Sequence, residues 1–327
     1  MEFKAVVGNP PYQIMDGGAA ASAIPVYNRF VDEARKLDAD YVSMIMPARW
    51  YAGGKGLDSF RKSMLNDKRI RELVDFPNST DCFPALGYRS IKGGICYFLW
   101  DKNYDDKCQI KSFVDGKCVA ASKRYLKEDG CEIFIRDAIG VSVYNKVKSK
   151  QESSFATIVS ARKPFEFPTN FTDFNANKSN DSECIIYANK TVGYIERNRI
   201  NKNTDWIDKY KLLIPEAIGN ADVETDKVKA ILAGHNTCCT ETYLVIGPFD
   251  NQQQAKNCNS YINTRFFHYL LALKKITQHT TQKCYEFIPI QSFDEAWNDE
   301  KLFKKYGFSK EEITYINNKV WPEKEEK

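Results

Sequence analysis

Val6-Val7-Gly8-Asn9-Pro10-Pro11-Tyr12-Gln13 reads as the end of a short buried strand, Ala5 to Val7, running into a rigid turn. Two consecutive prolines fix φ at about −65° and remove two backbone donors. Asn9 is restricted as well, because it precedes a proline. The strand end therefore displays an amide side chain, carbonyl oxygens with few neighbouring N–H groups to occupy them, and an aromatic ring. Asn9 and the Pro10 carbonyl can both accept hydrogen bonds from one amino group. Tyr12 can stack on the ring that carries that group.

Beyond this turn, Ile14 to Ile24 is rich in Gly, Ala and Ser and reads as a flexible loop. Pro25 to Leu37 is expected to be helical. Pro25 suits a first turn, and Val26, Phe30, Val31 and Ala34 recur at a spacing near the helical repeat. A strand follows over Tyr41 to Met46, ended by Pro47. The glycine-bearing loop Trp50 to Gly56 leads to a helix over Leu57 to Leu65, and Ile70 to Phe76 is a further strand. Cys82-Phe83-Pro84 makes a turn, and Gly94 to Trp100 is a strongly apolar strand. Lys111 to Val119 reads as another strand, folded as a hairpin around Asp115-Gly116. Strands alternating with helices predict an α/β fold with a parallel, doubly wound sheet. Such sheets bind ligands beyond the carboxyl ends of their strands, which is where Asn9 to Tyr12 lies.

After about Lys150 the alternation ends. Polar loops, Asn170 to Ser182 and Asn198 to Thr204, separate short aromatic segments. Strands are expected at Cys184 to Ala188 and Thr240 to Ile246, and one long helix over Asp250 to Leu273. Shorter helices are expected at Asp299 to Tyr306 and Ser309 to Asn318. Ser309 with Glu312 three residues on is a capping-box pattern. The expected organisation is an α/β domain over 1–150 and an α+β domain over 151–327.

The 327 residues are 43% hydrophobic and 28% charged, enough for two cores in an ordinary globular chain. No apolar run approaches the ~18 residues that span a membrane, so no membrane partner is expected. The 10 Cys are scattered without a CxxC pair, and the three His (His235, His268, His279) lack ligand spacing. Neither a disulfide framework nor a metal site follows from that, and reduced thiols in the cytoplasm are expected. A net charge of +4 permits nucleic-acid binding without arguing for it, so a DNA footprint has to come from local Lys/Arg clustering.

Asn-Pro-Pro-Tyr directly after an apolar strand resembles the catalytic motif of DNA amino-methyltransferases, most often those that modify adenine. Asp81-Cys82-Phe83-Pro84 with Gly93-Gly94-Ile95-Cys96-Tyr97-Phe98-Leu99 resembles a later motif of the same family. Segments of the second part resemble the target-recognition region of methylases from restriction-modification systems. They are Arg162-Lys163-Pro164-Phe165, Tyr187-Ala188-Asn189-Lys190, Cys238 to Val245, Lys274 to His279, and Trp297 to Phe303. The resemblance implies a partial Rossmann-like methyltransferase sheet followed by a target-recognition domain. It further implies S-adenosylmethionine as cofactor and double-stranded DNA as partner. Asn9, Pro10 and Tyr12 would be catalytic, accepting from the adenine amine and stacking on the extruded base. Phe83 would form the second stacking face, and Tyr27 and Phe30 would wall the cofactor pocket. Arg49, Arg162, Lys163, Lys190, Lys274 and Lys275 would contact phosphate, each with a solvated charge as the alternative.

One departure matters. Relatives with this motif order carry a Gly-rich cofactor turn well before Asn-Pro-Pro-Tyr, whereas this chain starts eight residues before Asn9. Gly53-Gly54-Lys55-Gly56 and Ile246-Gly247-Pro248 are poor substitutes. The expectation is a fragment, weak or inactive alone, which could pair with a chain supplying the cofactor-binding half. Two alternatives stay open: a DNA-binding specificity module without catalysis, and a gene remnant.

Overall fold

The computed structural model describes residues 3–15, 23–52, 54, 56–89, 91, 93–217, 227–275 and 279–321. Contacts divide the chain into two units, Met1–Val141 and Ser142–Lys327, so the division falls before the expected boundary at Lys150.

The first unit is built on a six-stranded sheet of β1 (Ala5–Gly8), β4 (Tyr41–Pro47), β6 (Ile95–Asp101), β5 (Ile70–Phe76), β7 (Cys108–Val114) and β8 (Lys117–Arg124), in that spatial order. A short pair, β2 (Gln13–Met15) and β3 (Ala23–Pro25), stands apart. It occupies the ends of the stretch expected to be loop; residues 16–22 lie outside the described residues.

β1 and β4 run parallel, as do β5 and β7, but β6 lies antiparallel between β4 and β5. β7 and β8 form the expected hairpin, turned by Asp115 (φ 50) and Gly116 (φ 72). The sheet is thus mixed rather than wholly parallel. Alternation of apolar residues marks a strand without marking its direction.

Helices α1 (Tyr27–Lys36) and α2 (Asp58–Asn66) pack on one face of this sheet. That face is a row of buried side chains: Val42, Met44 and Met46 on β4 stand opposite Trp100, Phe98 and Cys96 on β6. Tyr27, Val31 and Ala34 of α1 and Phe60 and Met64 of α2 close over them. The opposite face carries Tyr97, which is 37% exposed, so among the described residues the helices do not sandwich the sheet as in a doubly wound fold.

The second unit is α+β. Its three-stranded sheets are β10 (Thr191–Glu196), β9 (Glu183–Ala188), β13 (Thr237–Cys239), and β12 (Ile231–Ala233), β11 (Tyr210–Pro215), β14 (Tyr243–Phe249). The strand expected over Thr240 to Ile246 is interrupted: Thr240 turns the chain, its Oγ1 bonding Thr242 Oγ1 at 3.0 Å. The helix α3 (Ala138–Lys148) precedes these sheets.

The long helix expected over Asp250 to Leu273 is two helices, α4 (Gln252–Ile262) and α5 (Arg265–Lys274). Thr264 breaks it. Its hydroxyl accepts from Phe267 N at 3.1 Å, capping α5, and donates to Tyr261 O at 2.8 Å, closing α4. The chain ends in α6 (Asp299–Tyr306) and α7 (Lys310–Lys319), where Ser309 and Glu312 form a complete capping box.

Candidate active site

β6 is antiparallel to both β4 and β5, and β1 is parallel to β4, so β1, β4 and β5 all point the same way. Their carboxyl ends release Asn9–Tyr12, Pro47–Tyr51 and Pro77–Phe83 on one side of the sheet. Gly93-Gly94 enters β6 on that same side. Across the row, Met46 and Asp75 both stand in register with Cys96.

Asn9 is exposed, Pro10 buried and Tyr12 half-buried. The turn is held by Val26 N donating to the Tyr12 carbonyl at 3.2 Å. The Tyr12 hydroxyl is buried without a hydrogen-bond partner. Burial pushes its pKa up to about 12, with Cys82 and Cys96 adding to the rise. Phe83 is half-buried, and its N–H donates to the Ser79 carbonyl at 2.9 Å. The common direction of β1 and β5 puts Asn9, Pro10, Tyr12 and Phe83 beyond the same end of the sheet.

Tyr27 and Phe30 part company. Tyr27 is 1% exposed and packs edge-on against Phe60 at 6.0 Å. Phe30 is 46% exposed and flanks the buried stripe of Tyr27, Val31 and Ala34 instead of joining it. A pocket wall needs two faces turned to one space, and these two residues do not supply it. Among the described residues no group of three or more His, Cys, Asp and Glu converges on a metal position. All ten cysteines are free thiols.

The cation candidates divide as well. Arg49 is half-buried just beyond β4, and its charge partly opposes the rise that burial imposes on the Tyr27 hydroxyl's pKa. Arg162 and Lys163 are exposed but both face the carboxylate of buried Glu241, at 3.3 and 3.7 Å. Lys190 is exposed in the β9–β10 turn, with φ 60. Lys274 and Lys275 correct the expectation. The Lys274 ammonium pairs with Glu286 and lies 4.9 Å from the Phe287 ring centre, and Lys275 is 4% exposed. Neither presents a cation at the surface. Lysines spaced along a sequence carry no information about such distant partners. Ile276-Thr277-Gln278, in the same resembling segment, lies outside the described residues.

Sequence reading passed over the groups beneath the site. Asp75 is fully buried, and neither carboxylate oxygen has a hydrogen-bond partner. Burial raises its pKa, opposed by the Arg136 guanidinium 3.7 Å away. The Tyr51 hydroxyl faces Asp75 and Cys96 with no hydrogen bond closed to either. Trp50 Nε1 donates to Cys96 Sγ at 3.4 Å. Asp75 shares the strand Ile70 to Phe76 with Arg71 and Glu72, so charge alone did not mark it out in the sequence.

Residues 1–83 match the model of the Eco57I restriction-modification methylase family. A protein of Mycoplasma pneumoniae (strain ATCC 29342 / M129 / Subtype 1), described as an uncharacterized adenine-specific methylase, is 34% identical over 176 residues. That alignment covers 50% of this chain and 41% of the relative. Among solved structures, the type IIG restriction endonuclease BpuSI superposes with a TM-score of 0.38 at 11% identity, covering 94% of this chain and 49% of that one. The type IIL restriction-modification enzyme MmeI in complex with DNA gives 0.47 at 10% identity, covering 85% and 45%. The chain spans less than half the length of each of these proteins. No helix among the described residues is long and apolar enough to cross a membrane.

Proposed function

We propose that this chain is the target-base and DNA-recognition part of a site-specific DNA adenine N6-methyltransferase of a restriction-modification system, with S-adenosylmethionine as donor. One observation carries the reading: Asn9, Pro10, Tyr12 and the Phe83 segment converge at the carboxyl ends of parallel strands, within the stretch that matches the methylase family. Asn9 Oδ1 and the Pro10 carbonyl accept the two amine hydrogens of an extruded adenine and turn its lone pair out of conjugation. Tyr12 and Phe83 hold the ring by stacking. This is positioning and electrostatic preorganisation, and it requires no strong base. Extrusion is needed because a base inside the duplex is out of reach. The donor contributes an electrophilic methyl group, and no step at the donor is assigned to residues of this chain.

A partner chain supplying the donor-binding half fits the open edge of the sheet. Among the described residues β1 pairs with β4 alone, and Val7 on β1 is 78% exposed. Exposed strand edges invite pairing. The free thiols fit a cytoplasmic location. Arg49, Arg162, Lys163 and Lys190 are the phosphate contacts proposed, with Arg162 and Lys163 released from Glu241 on binding.

The experiment uses labelled S-adenosylmethionine and unmethylated DNA. Transfer of label is expected when the chain acts with a methylase half that carries the Gly-rich donor motif. Asn9→Ala is expected to abolish that transfer. DNA binding with no activity under any pairing favours the specificity-module reading.

A further inference from the structure

The chain between β5 and β6, from Pro77 to Gly94, is a loop whose two ends nearly touch. A Cβ added at Gly94 would sit 2.3 Å from the Phe76 carbonyl oxygen and 2.8 Å from that of Pro77. Only a glycine allows this neck, and Gly94 also has φ 83. Inside the loop the Asn78 side chain accepts from Thr80 N at 3.2 Å, and Ser79 Oγ accepts from Ile91 N at 2.7 Å. Phe83 hangs from this frame through its bond to the Ser79 carbonyl.

Arg136 lies across the neck. Its Nη2 donates to the Gly93 carbonyl, at the entry to β6, and lies 3.7 Å from Asp75 Oδ1, at the exit of β5. Its guanidinium also covers the Tyr51 ring at 5.0 Å. The Tyr51 segment is tied in turn to both neighbours. Phe134 N donates to the Tyr51 carbonyl at 2.7 Å, and Ala48 N donates to the Gly94 carbonyl at 3.0 Å. One side chain thus joins the segments that follow β4 and β5 to the start of β6. Among the described residues no other cation lies at ion-pair distance from Asp75, and its carboxylate oxygens accept no hydrogen bond, so the guanidinium is its principal compensation. Removing the half-exposed guanidinium leaves the buried Asp75 carboxyl without that compensation.

We propose that Arg136 and Asp75 are positioning residues: together they close the neck of the Pro77–Gly94 loop and so hold the segment that bears Phe83 in place for the target base. Arg136 lies beyond the stretch that matches the methylase family, so this support is supplied by this chain's own later segment. The stacking role of Phe83 rests on the function proposed above; the closure of the neck does not.

Two measurements on the full-length chain test the proposal and keep those parts separate. The first is native-state hydrogen exchange of Arg136→Ala, Arg136→Lys and Asp75→Asn. In Arg136→Ala the amides of Thr80, Phe83 and Ile91 are expected to exchange on the order of ten- to a hundredfold faster, the range that loss of a hydrogen bond to a charged group corresponds to. The β4–β6 ladder stays protected, and Arg136→Lys recovers part of the loop's protection. Unchanged loop exchange, or equal acceleration in the ladder, overturns the clamp. The second uses a duplex with 2-aminopurine opposite an abasic site, which lowers the cost of extrusion. Arg136→Ala and Phe83→Ala are expected to lose the quenched, stacked-base signal while overall DNA affinity stays within about twofold. Equal loss of signal and affinity overturns the positioning role. If the unaltered chain gives no stacked signal, the base-holding reading of Phe83 fails, and exchange alone decides the clamp.

Discussion

Tyr12 carries a hydroxyl that is buried, unpartnered and held protonated to about pH 12. A phenol used for proton transfer would need a pKa near the working pH, so the ring rather than the hydroxyl is the useful part. Tyr12→Phe removes an unsatisfied polar group and keeps the face. It is expected to change stability by less than about 1 kcal/mol and to leave the quenched 2-aminopurine signal in place. Tyr12→Ala is expected to lose about 1–3 kcal/mol of base stacking, read as weaker capture of the extruded base in the same duplex. Equal behaviour of the two variants would refute the stacking role. A second residue-scale test concerns Glu241, which accepts from Thr169 N at 3.2 Å through Oε1 while Arg162 and Lys163 face Oε2. Glu241→Gln can keep the Thr169 bond and removes the charge that restrains both cations. DNA affinity is expected to rise at low salt, with a steeper dependence of log K on log salt, by about 0.9 for each phosphate newly neutralised. A slope that does not move removes Arg162 and Lys163 from the proposed footprint.

At the scale of elements, the loop between β5 and β6 makes the sharpest demand on sequence. Gly94→Ala forces a methyl group against backbone carbonyls in a left-handed conformation. It is expected to destabilise the protein by at least about 2–3 kcal/mol in urea titration. Gly8→Ala is the control: nothing lies within 4 Å of an added Cβ, so its cost is expected to stay below about 1 kcal/mol. What was legible beforehand follows the range of the interactions. The strands β1, β4, β5 and β6 and the Ser309–Glu312 capping box are local patterns, and they stand where the residues put them. The Asp115-Gly116 hairpin was legible for the same reason. The antiparallel placement of β6 was not, because apolar alternation is the same in either direction. The break at Thr264 had a local signal, a capping threonine, but apolar residues at helical spacing run through it on both sides. Asn9 to Tyr12 was legible because four consecutive residues carry it. The Arg136–Asp75 pair joins positions 61 residues apart, and no periodicity marks it.

For the molecule as a whole, the Tyr12, Tyr51 and Asp75 orphans of the first unit cluster at the proposed site, whereas His268 in the second unit stands outside any proposed chemistry. His268 is fully buried on α5, with its ring 4.5 Å from that of Trp321 and neither ring nitrogen hydrogen-bonded. Burial, joined by the charges of Lys275 and Lys227, lowers its pKa to about 3. An unfolded chain binds the same proton near 6.5. Between those values the unfolded state takes up a proton that the folded state refuses. The stability is therefore complete above about pH 6.5 and drains away as pH falls toward 3, by up to about 1.4 kcal/mol per pH unit. Glu312 acts in the same sense. Its pKa is shifted down overall because the bonds from Lys146, Ser142 and the Ser309 backbone outweigh its burial, so protonating it at low pH also costs stability. A comparison at matched pH cancels that contribution. His268→Leu is expected to lose about 2 kcal/mol less than the unaltered protein between pH 7 and pH 5 in urea titrations, whatever its absolute stability. Parallel pH profiles for the two proteins would mean that His268 is protonated within the fold, and that a partner for its charge exists where the structure places Trp321 and two lysines.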